Sequence, residues 1–275
     1  MAIIPQLILN SIIAGAIYTL VALGFNLIYS TTKFFNFAHG ALAAVGAYAV
    51  FFFVYVVRLP LAVGIVLGVM GAGIGGYILN ALVYEKLRKR KASHMVLLVA
   101  SLGALSALQA LIAMLFTSQF RTLSERVGTQ VRYHFGSGVI TETQLVMLIV
   151  GLVGLISLSV VIRKTRFGTA VRAISDDEEV AKIVGIDTAK IIGYVFFIGS
   201  AFAGLAGIFV GFDTGLAPTM GLQLLLKGVI ASIVGGMGSV YGAVLGAFLL
   251  GFVENFGIWK VSGEWKDAIA FGVLI

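Results

Sequence analysis

Apolar stretches long enough to cross a bilayer follow one another along almost the whole chain, and no other feature constrains the fold as strongly. Runs at 7–28, 37–57, 61–83, 95–116, 144–162 and 191–212 each approach the roughly 20 residues that a helix needs to span the hydrocarbon core. In lipid every backbone N–H and C=O must be satisfied within the chain, which leaves helices as the spanning element. A further apolar stretch, 222–256, is too long for one span and is broken by Gly235–Ser239 (GGMGS). It predicts two helical pieces joined by a glycine hinge at or near the membrane. A last apolar run follows Lys266 and reaches Ile275. That is about half a span, which fits either a half-span or a shortened C-terminus. The expected fold is an all-α, polytopic membrane helix bundle of about eight to nine segments. It forms a single transmembrane domain, 1–275, with a polar segment, 163–190, inserted.

Composition excludes a soluble alternative. Sixty per cent of the 275 residues are hydrophobic and 11% are charged, against about 25% charged in soluble domains. The first apolar run follows no basic n-region, and it is longer than the core of a cleaved leader, so it reads as a retained span. The net charge of +7 is concentrated in loops, which points to membrane orientation and lipid headgroups and away from nucleic acid. The two most basic segments are 85–94 (EKLRKRKASH) and 163–190. They lie two spans apart, on one side, and the positive-inside rule makes that side the cytosol. Counting back places Met1 outside. Lys33 marks a membrane edge, Arg58 and Pro60 a tight turn, and Trp259, Lys260, Trp265 and Lys266 an interfacial belt. Residues 117–143 form a polar loop of mixed character.

Small residues recur four apart on several predicted helices: Gly64, Gly68, Ala72, Gly76; Gly199, Ala203, Gly207, Gly211; and Gly238, Gly242, Gly246. Such faces let helix backbones approach closely. Gly-interrupted segments at 36–48 and 235–248 occupy comparable places in the two halves, a pattern that points to a transport site between repeats. Asn36, His39 and Gly40 open the second span. They line a pathway or mark an interfacial helix start. Gly235, Gly236, Gly238 and Ser239 are candidates for a hinge or pathway. Glu254 and Asn255 stand late in an apolar run, as a buried functional carboxylate or, beside Trp259, at the outer interface.

Enzyme chemistry finds little to stand on. There is no cysteine, so no disulfide, thiolate nucleophile or Cys-ligated metal. His39, His94 and His134 are far apart, so neither a metal site nor any cofactor is expected, and no Ser-His-Asp arrangement fits one membrane face. The chain contains no G-x-x-x-x-G-K-[ST]; if ATP is used, another chain binds it.

The polar segment RKTRFGTAVRAISDDEEVAKIVGIDTAK carries a short folded element. Ser175 and Glu178 have capping-box spacing. Acids crowd the predicted first turn, Lys182 sits in the last, and Gly185 stands where a left-handed residue would end the helix. Val180, Ile183 and Val184 form one apolar stripe. A helix of two to three turns is marginal alone, so the stripe rests either on its own membrane domain or on a partner. Arg172 faces a partner acid or the lipid headgroups.

Three blocks carry a resemblance. Residues 167–212 (FGTAVRAISDDEEVAKIVGIDTAKIIGYVFFIGSAFAGLAGIFVGF), 36–48 (NFAHGALAAVGAY) and 218–254 (PTMGLQLLLKGVIASIVGGMGSVYGAVLGAFLLGFVE) resemble the bacterial branched-chain amino acid ABC transporter permeases. The length is similar to that of the smaller of the two paralogous permeases. The resemblance implies a type II ABC importer-like bundle in the bacterial cytoplasmic membrane. It implies pairing with a second permease, paralogous or identical, two cytosolic ATP-binding subunits below and an extracytoplasmic solute-binding protein above. It makes the segment after Ser175 a coupling helix, with Arg172, Ser175, Asp176, Glu178, Val180, Ala181, Ile183, Val184, Gly185 and Ile186 docking on the ATPase. The substrate expected is a branched-chain or related amino acid, with urea or short amides as the alternative for the same kind of importer. An ATP-independent channel and an intramembrane enzyme or scaffold are the alternatives of other classes.

Overall fold

The computed structural model describes residues 3–124, 131–135, 138–259 and 262–274. Seven helices are long and apolar enough to span a membrane among the described residues. They include α1 (Ile4–Thr32), α5 (His94–Phe116), α6 (Glu142–Lys164), α9 (Thr188–Asp213) and α11 (Val240–Gly257). The other two are compound. α2 (Ala38–Phe51) continues through a π-helical turn, Phe52–Val56, and α3 (Leu61–Leu79) continues through another, Asn80–Tyr84, into α4 (Glu85–Lys89). The third span is therefore longer than its apolar run. The first five residues of the basic segment 85–94 are helix, braced by the Glu85–Lys89 pair at 2.6 Å.

α1, α2 and α9 form the centre. Two-thirds of the apolar window of each is buried inside the protein, against 22% for α5 and 17% for α6 at the periphery. What lets the central helices come so close is the small-residue pattern. A Cβ on Gly46 would lie 2.6 Å from the Cα of Gly204, and one on Gly199 would lie 2.8 Å from the Gly24 carbonyl. Gly207 abuts the Ala43 carbonyl, and Gly242 and Gly235 face each other's carbonyls. Gly64, Gly68, Ala72 and Gly76 are all buried, as the four-residue spacing predicts. Gly238 does not belong to such a face: it has open space around it and a φ of 92°, because it lies in the turn before α11.

α10 (Met220–Gly235) is a shorter apolar helix, and it forms an antiparallel pair with α11. The expected break falls between them, where Gly236 and Gly238 adopt φ values of 95° and 92° that an L side chain adopts only with strain. The other Gly-rich segment, 36–48, is not interrupted. It is the start of a continuous helix, because Gly40 packs on Gly221 and Gly46 on Gly204 with no positive φ at either. The polar loop holds a two-stranded antiparallel hairpin, β1 (Arg132–Phe135) and β2 (Gly138–Thr141), which the sequence reading missed. Gln6 ties it to α1, donating to and accepting from the backbone of Val139 at 3.2 and 2.8 Å. A seven-residue helix, α12 (Lys266–Gly272), closes the described chain.

Two further helices, α7 (Arg166–Asp176) and α8 (Glu178–Ile183), fill the polar segment between α6 and α9. Tyr84 and Leu97, flanking the other basic segment, share one buried cluster with Val171, Ile174 and Ala181. The two basic segments thus lie at one end of the bundle, as their spacing predicts. The starts of α1 and α6 and the end of α9 lie at the other.

Candidate functional site

The α7–α8 elbow is built by local chemistry. Thr165 caps α7, accepting the Gly168 N–H at 3.1 Å. A Cβ at Gly168 would collide with the Val161 and Ile162 carbonyls, so glycine permits the sharp turn out of α6. Arg172 secures the same corner by donating to the Ile162 carbonyl and, at 3.3 Å, to the Thr169 hydroxyl. Val171 and Ile174 are buried.

The start of the short helix differs from the Ser175 capping box. α7 runs through Ser175 because Val171 and Ile174 keep one face buried up to that point. Asp177 takes the cap in extended backbone, its carboxylate accepting from the N–H groups of Glu179 at 2.8 Å and Val180 at 3.0 Å. A carboxylate oxygen satisfies two free donors there. Glu178 instead accepts from the Thr188 hydroxyl at 3.3 Å and pairs with Lys182 at 3.1 Å. The hydrogen bond to Glu179, together with Glu178, holds the Lys182 ammonium above its ordinary pKa.

The end of the helix matches the sequence. Gly185 has φ 88°, its N–H bonds the Lys182 carbonyl and the Ile186 N–H bonds the Ala181 carbonyl, both at 3.0 Å. This is a Schellman motif. Of the apolar residues, only Ala181 is buried; Val180, Ile183 and Val184 are 54%, 83% and 69% exposed. Asp176 is exposed, with Ser175 and Ile186 half-buried. The elbow is therefore locked at three caps; α7 is seated on the bundle through Val171 and Ile174 and α8 through Ala181 alone, with its apolar stripe facing outward.

The candidate pathway residues separate into two groups. Asn36, His39 and Gly40 are buried. Asn36 accepts from the Tyr84 hydroxyl at 2.9 Å, and His39 packs against Gly24 and edge-on to Phe25. Gly236, Gly238 and Ser239 are exposed at the α10–α11 turn. Asn26 of α1 clamps this turn, accepting from the Gly238 N–H and donating to the Ser239 carbonyl at 2.9 Å. Ser239 caps α11.

A third feature was only half visible in the sequence. Glu254 is fully buried, and Asn255 is 5% exposed. The Tyr18 hydroxyl donates to Glu254 at 2.7 Å. Lys227 of α10, which the sequence reading did not single out, lies 3.2 Å from Glu254 and 3.3 Å from Asp267. Lys266 lies 3.6 Å from Glu254. A lysine and a glutamate 27 residues apart in one apolar stretch were the available signal. In front of Lys227 opens a cavity of about 650 Å³, at the end of the bundle opposite the elbow.

A model of the branched-chain amino acid transport system permease component matches residues 7–275. The chain belongs to this family. Among the permease's relatives is the high-affinity branched-chain amino acid transport system permease protein LivH of Escherichia coli, 30% identical over 98% of this chain and 91% of the relative. BraD of Pseudomonas aeruginosa, of the same description, is 28% identical over the same shares. A probable LivH of Methanocaldococcus jannaschii is 30% identical over 90% of this chain and 78% of its own. The permease is thus a multi-pass membrane protein of a transport family.

Proposed function

We propose that the permease is the membrane subunit of an ATP-driven importer for branched-chain or related amino acids. Residues 1–275 act as one transmembrane domain with Met1 outside. The permease pairs with a second permease, two ATP-binding subunits dock at the elbow, and a solute-binding protein delivers substrate at the opposite end. The observation that carries this reading is the α8 stripe. Its surroundings are charged (Asp177, Glu178, Glu179, Lys182), yet Val180, Ile183 and Val184 stand exposed on a helix whose two ends are rigidly capped. Six residues of helix do not hold together for their own sake; a rigid, outward apolar knob suits a cleft in a partner. In this reading α8 and Arg172, through the α6–α7 corner, pass motion of the ATPase to the bundle. The Gly235–Ser239 turn acts as the hinge, and the Asn36–Gly40 contacts are among those that re-pack. ATP drives the cycle by binding one state of the assembly more tightly than the other.

Ile183→Asp tests it. In proteoliposomes holding the permease, its ATPase and the delivery protein, loss of an interface anchor of about 2 kcal/mol weakens docking roughly 30-fold. Leucine uptake should collapse while the permease stays in the membrane. Uptake at the wild-type rate would remove α8 as the coupling element.

A further inference from the structure

Lys227 occupies the eighth position of an apolar helix, between Leu224–Leu226 and Gly228–Ile230. Charges in such a place are expensive and mark functional sites. Stability alone does not explain them, because hydrophobic residues of similar volume hold helices together at least as well as a buried ion pair. The cavity in front of them supplies a reason. Lys227, Lys266, Asp213 and Asp267 line its polar side, two positive and two negative groups. Ile13, Ile17, Met220 and Leu224 line an apolar wall. Its volume lies in the range of small-molecule sites. Glu254 stands behind Lys227 rather than in the wall and, with the Tyr18 hydroxyl, fixes where the ammonium can sit. Asp267 is 57% exposed on the side chain, against 15% for Lys227, so the charges grade from the mouth inward.

We propose that this cavity is a binding site for zwitterionic α-amino acids, with Lys227 and Lys266 holding the carboxylate, Asp267 the ammonium, and the Ile13–Leu224 wall the aliphatic side chain. A lining with equal numbers of both signs pairs both ends of a zwitterion. It leaves one pair unmatched for a ligand carrying a single charge, and an unmatched charge is penalised. The proposal rests on the amino acid importer reading, and it adds a place where the permease itself recognises what it is handed.

The test is binding of labelled L-leucine to the permease–ATPase complex in nanodiscs without the delivery protein, competed by 4-methylpentanoate and 3-methylbutylamine. Each competitor keeps the side chain and loses one charge. Wild type should prefer leucine over either by about tenfold or more. Lys227→Met should weaken leucine roughly 30-fold, whereas 3-methylbutylamine should bind no more weakly, because Asp267 loses a competing ammonium. Asp267→Asn, near the mouth, should weaken leucine about fivefold, whereas 4-methylpentanoate should bind no more weakly, because Lys227 loses a competing carboxylate. A merely structural network predicts that all three ligands shift together. Such a common shift, undetectable leucine binding in a complex that imports leucine, or wild-type affinity in both cavity variants overturns the site. If Lys227→Met fails to fold, the exposed Asp267→Asn decides alone. An assembled importer that moves no amino acid rejects the transport reading instead.

Discussion

The two ends of the permease break the usual partition of polar and apolar groups in opposite senses. At the elbow, three aliphatic side chains of α8 stand exposed among charges. At the far end, Glu254 is fully buried and Lys227 nearly so, inside an apolar bundle. Each inversion costs free energy; the stripe is left uncovered, and the charges are offset only by one another and by the Tyr18 hydroxyl. Between them small residues meet small residues where α1, α2, α3 and α9 cross, as at Gly24–Gly199, Gly46–Gly204 and Ala72–Gly204. The contrast teaches that the middle specifies the fold, whereas the ends are shaped for something that comes from outside it. Sites of function are where a sequence violates its own local logic.

The largest effect is expected where charges are inside. Glu254→Ala leaves the Lys227 ammonium without its buried partner and the Tyr18 hydroxyl without its acceptor. Removing one member of a buried pair costs about 3–5 kcal/mol, so the thermal midpoint of the reconstituted permease should fall sharply. Adding Lys227→Met to Glu254→Ala removes the ammonium, which would otherwise keep only the more exposed Asp267, and should recover part of the loss. If the double variant remained as unstable as the single one, the pair would be a structural keystone, and the contrast between middle and ends would fail.

The middle should respond with a smaller and purely steric penalty. In Gly207→Val the new side chain meets the Ala43 carbonyl across the α2–α9 contact, and backbone cannot yield as a side chain can. Overpacking of this kind costs about 1–3 kcal/mol. Because no charge is stranded, a second change such as Lys227→Met should not rescue it. Thermal midpoints of the two single variants and the double variant check this: independent sites add.

How much of this was legible follows the same division. The spans, the four-residue small-residue faces of α3 and α9 and the break at Gly235–Ser239 are periodic or local signals, and the chain folds as they say. So is the left-handed Gly185. Asp177 was missed as the cap because Ser175 and Glu178 satisfy the capping-box spacing equally well on paper. The choice was made by Val171 and Ile174, whose burial carries α7 past Ser175, and burial is not a local property. The Tyr18–Glu254 hydrogen bond joins residues 236 apart, and the Gln6–Val139 clamp joins residues 133 apart; no spacing rule reaches that far. Asn36, His39 and Gly40 were singled out by residue type, and the packing of α2 against α1, α9 and α10 is what put them in the core.

The smallest expected effect probes the apolar-outside end without touching its stripe. Asp177→Ala deprives the N–H groups of Glu179 and Val180 of their acceptor. Loss of such a cap costs about 1 kcal/mol, and α8 is too short to absorb it. Hydrogen exchange at residues 178–183 should therefore quicken roughly fivefold, while exchange in α9 stays unchanged because Asp187 caps that helix separately, accepting from the Lys190 N–H at 3.1 Å. Ser175→Ala, in the last turn of α7, should change exchange in α8 little, within about 0.5 kcal/mol. The reverse ranking would restore Ser175 as the cap. The predicted ranking would show that the outward stripe is held by Asp177 at one end and Gly185 at the other, so that its rigidity, and not only its exposure, is built into the chain.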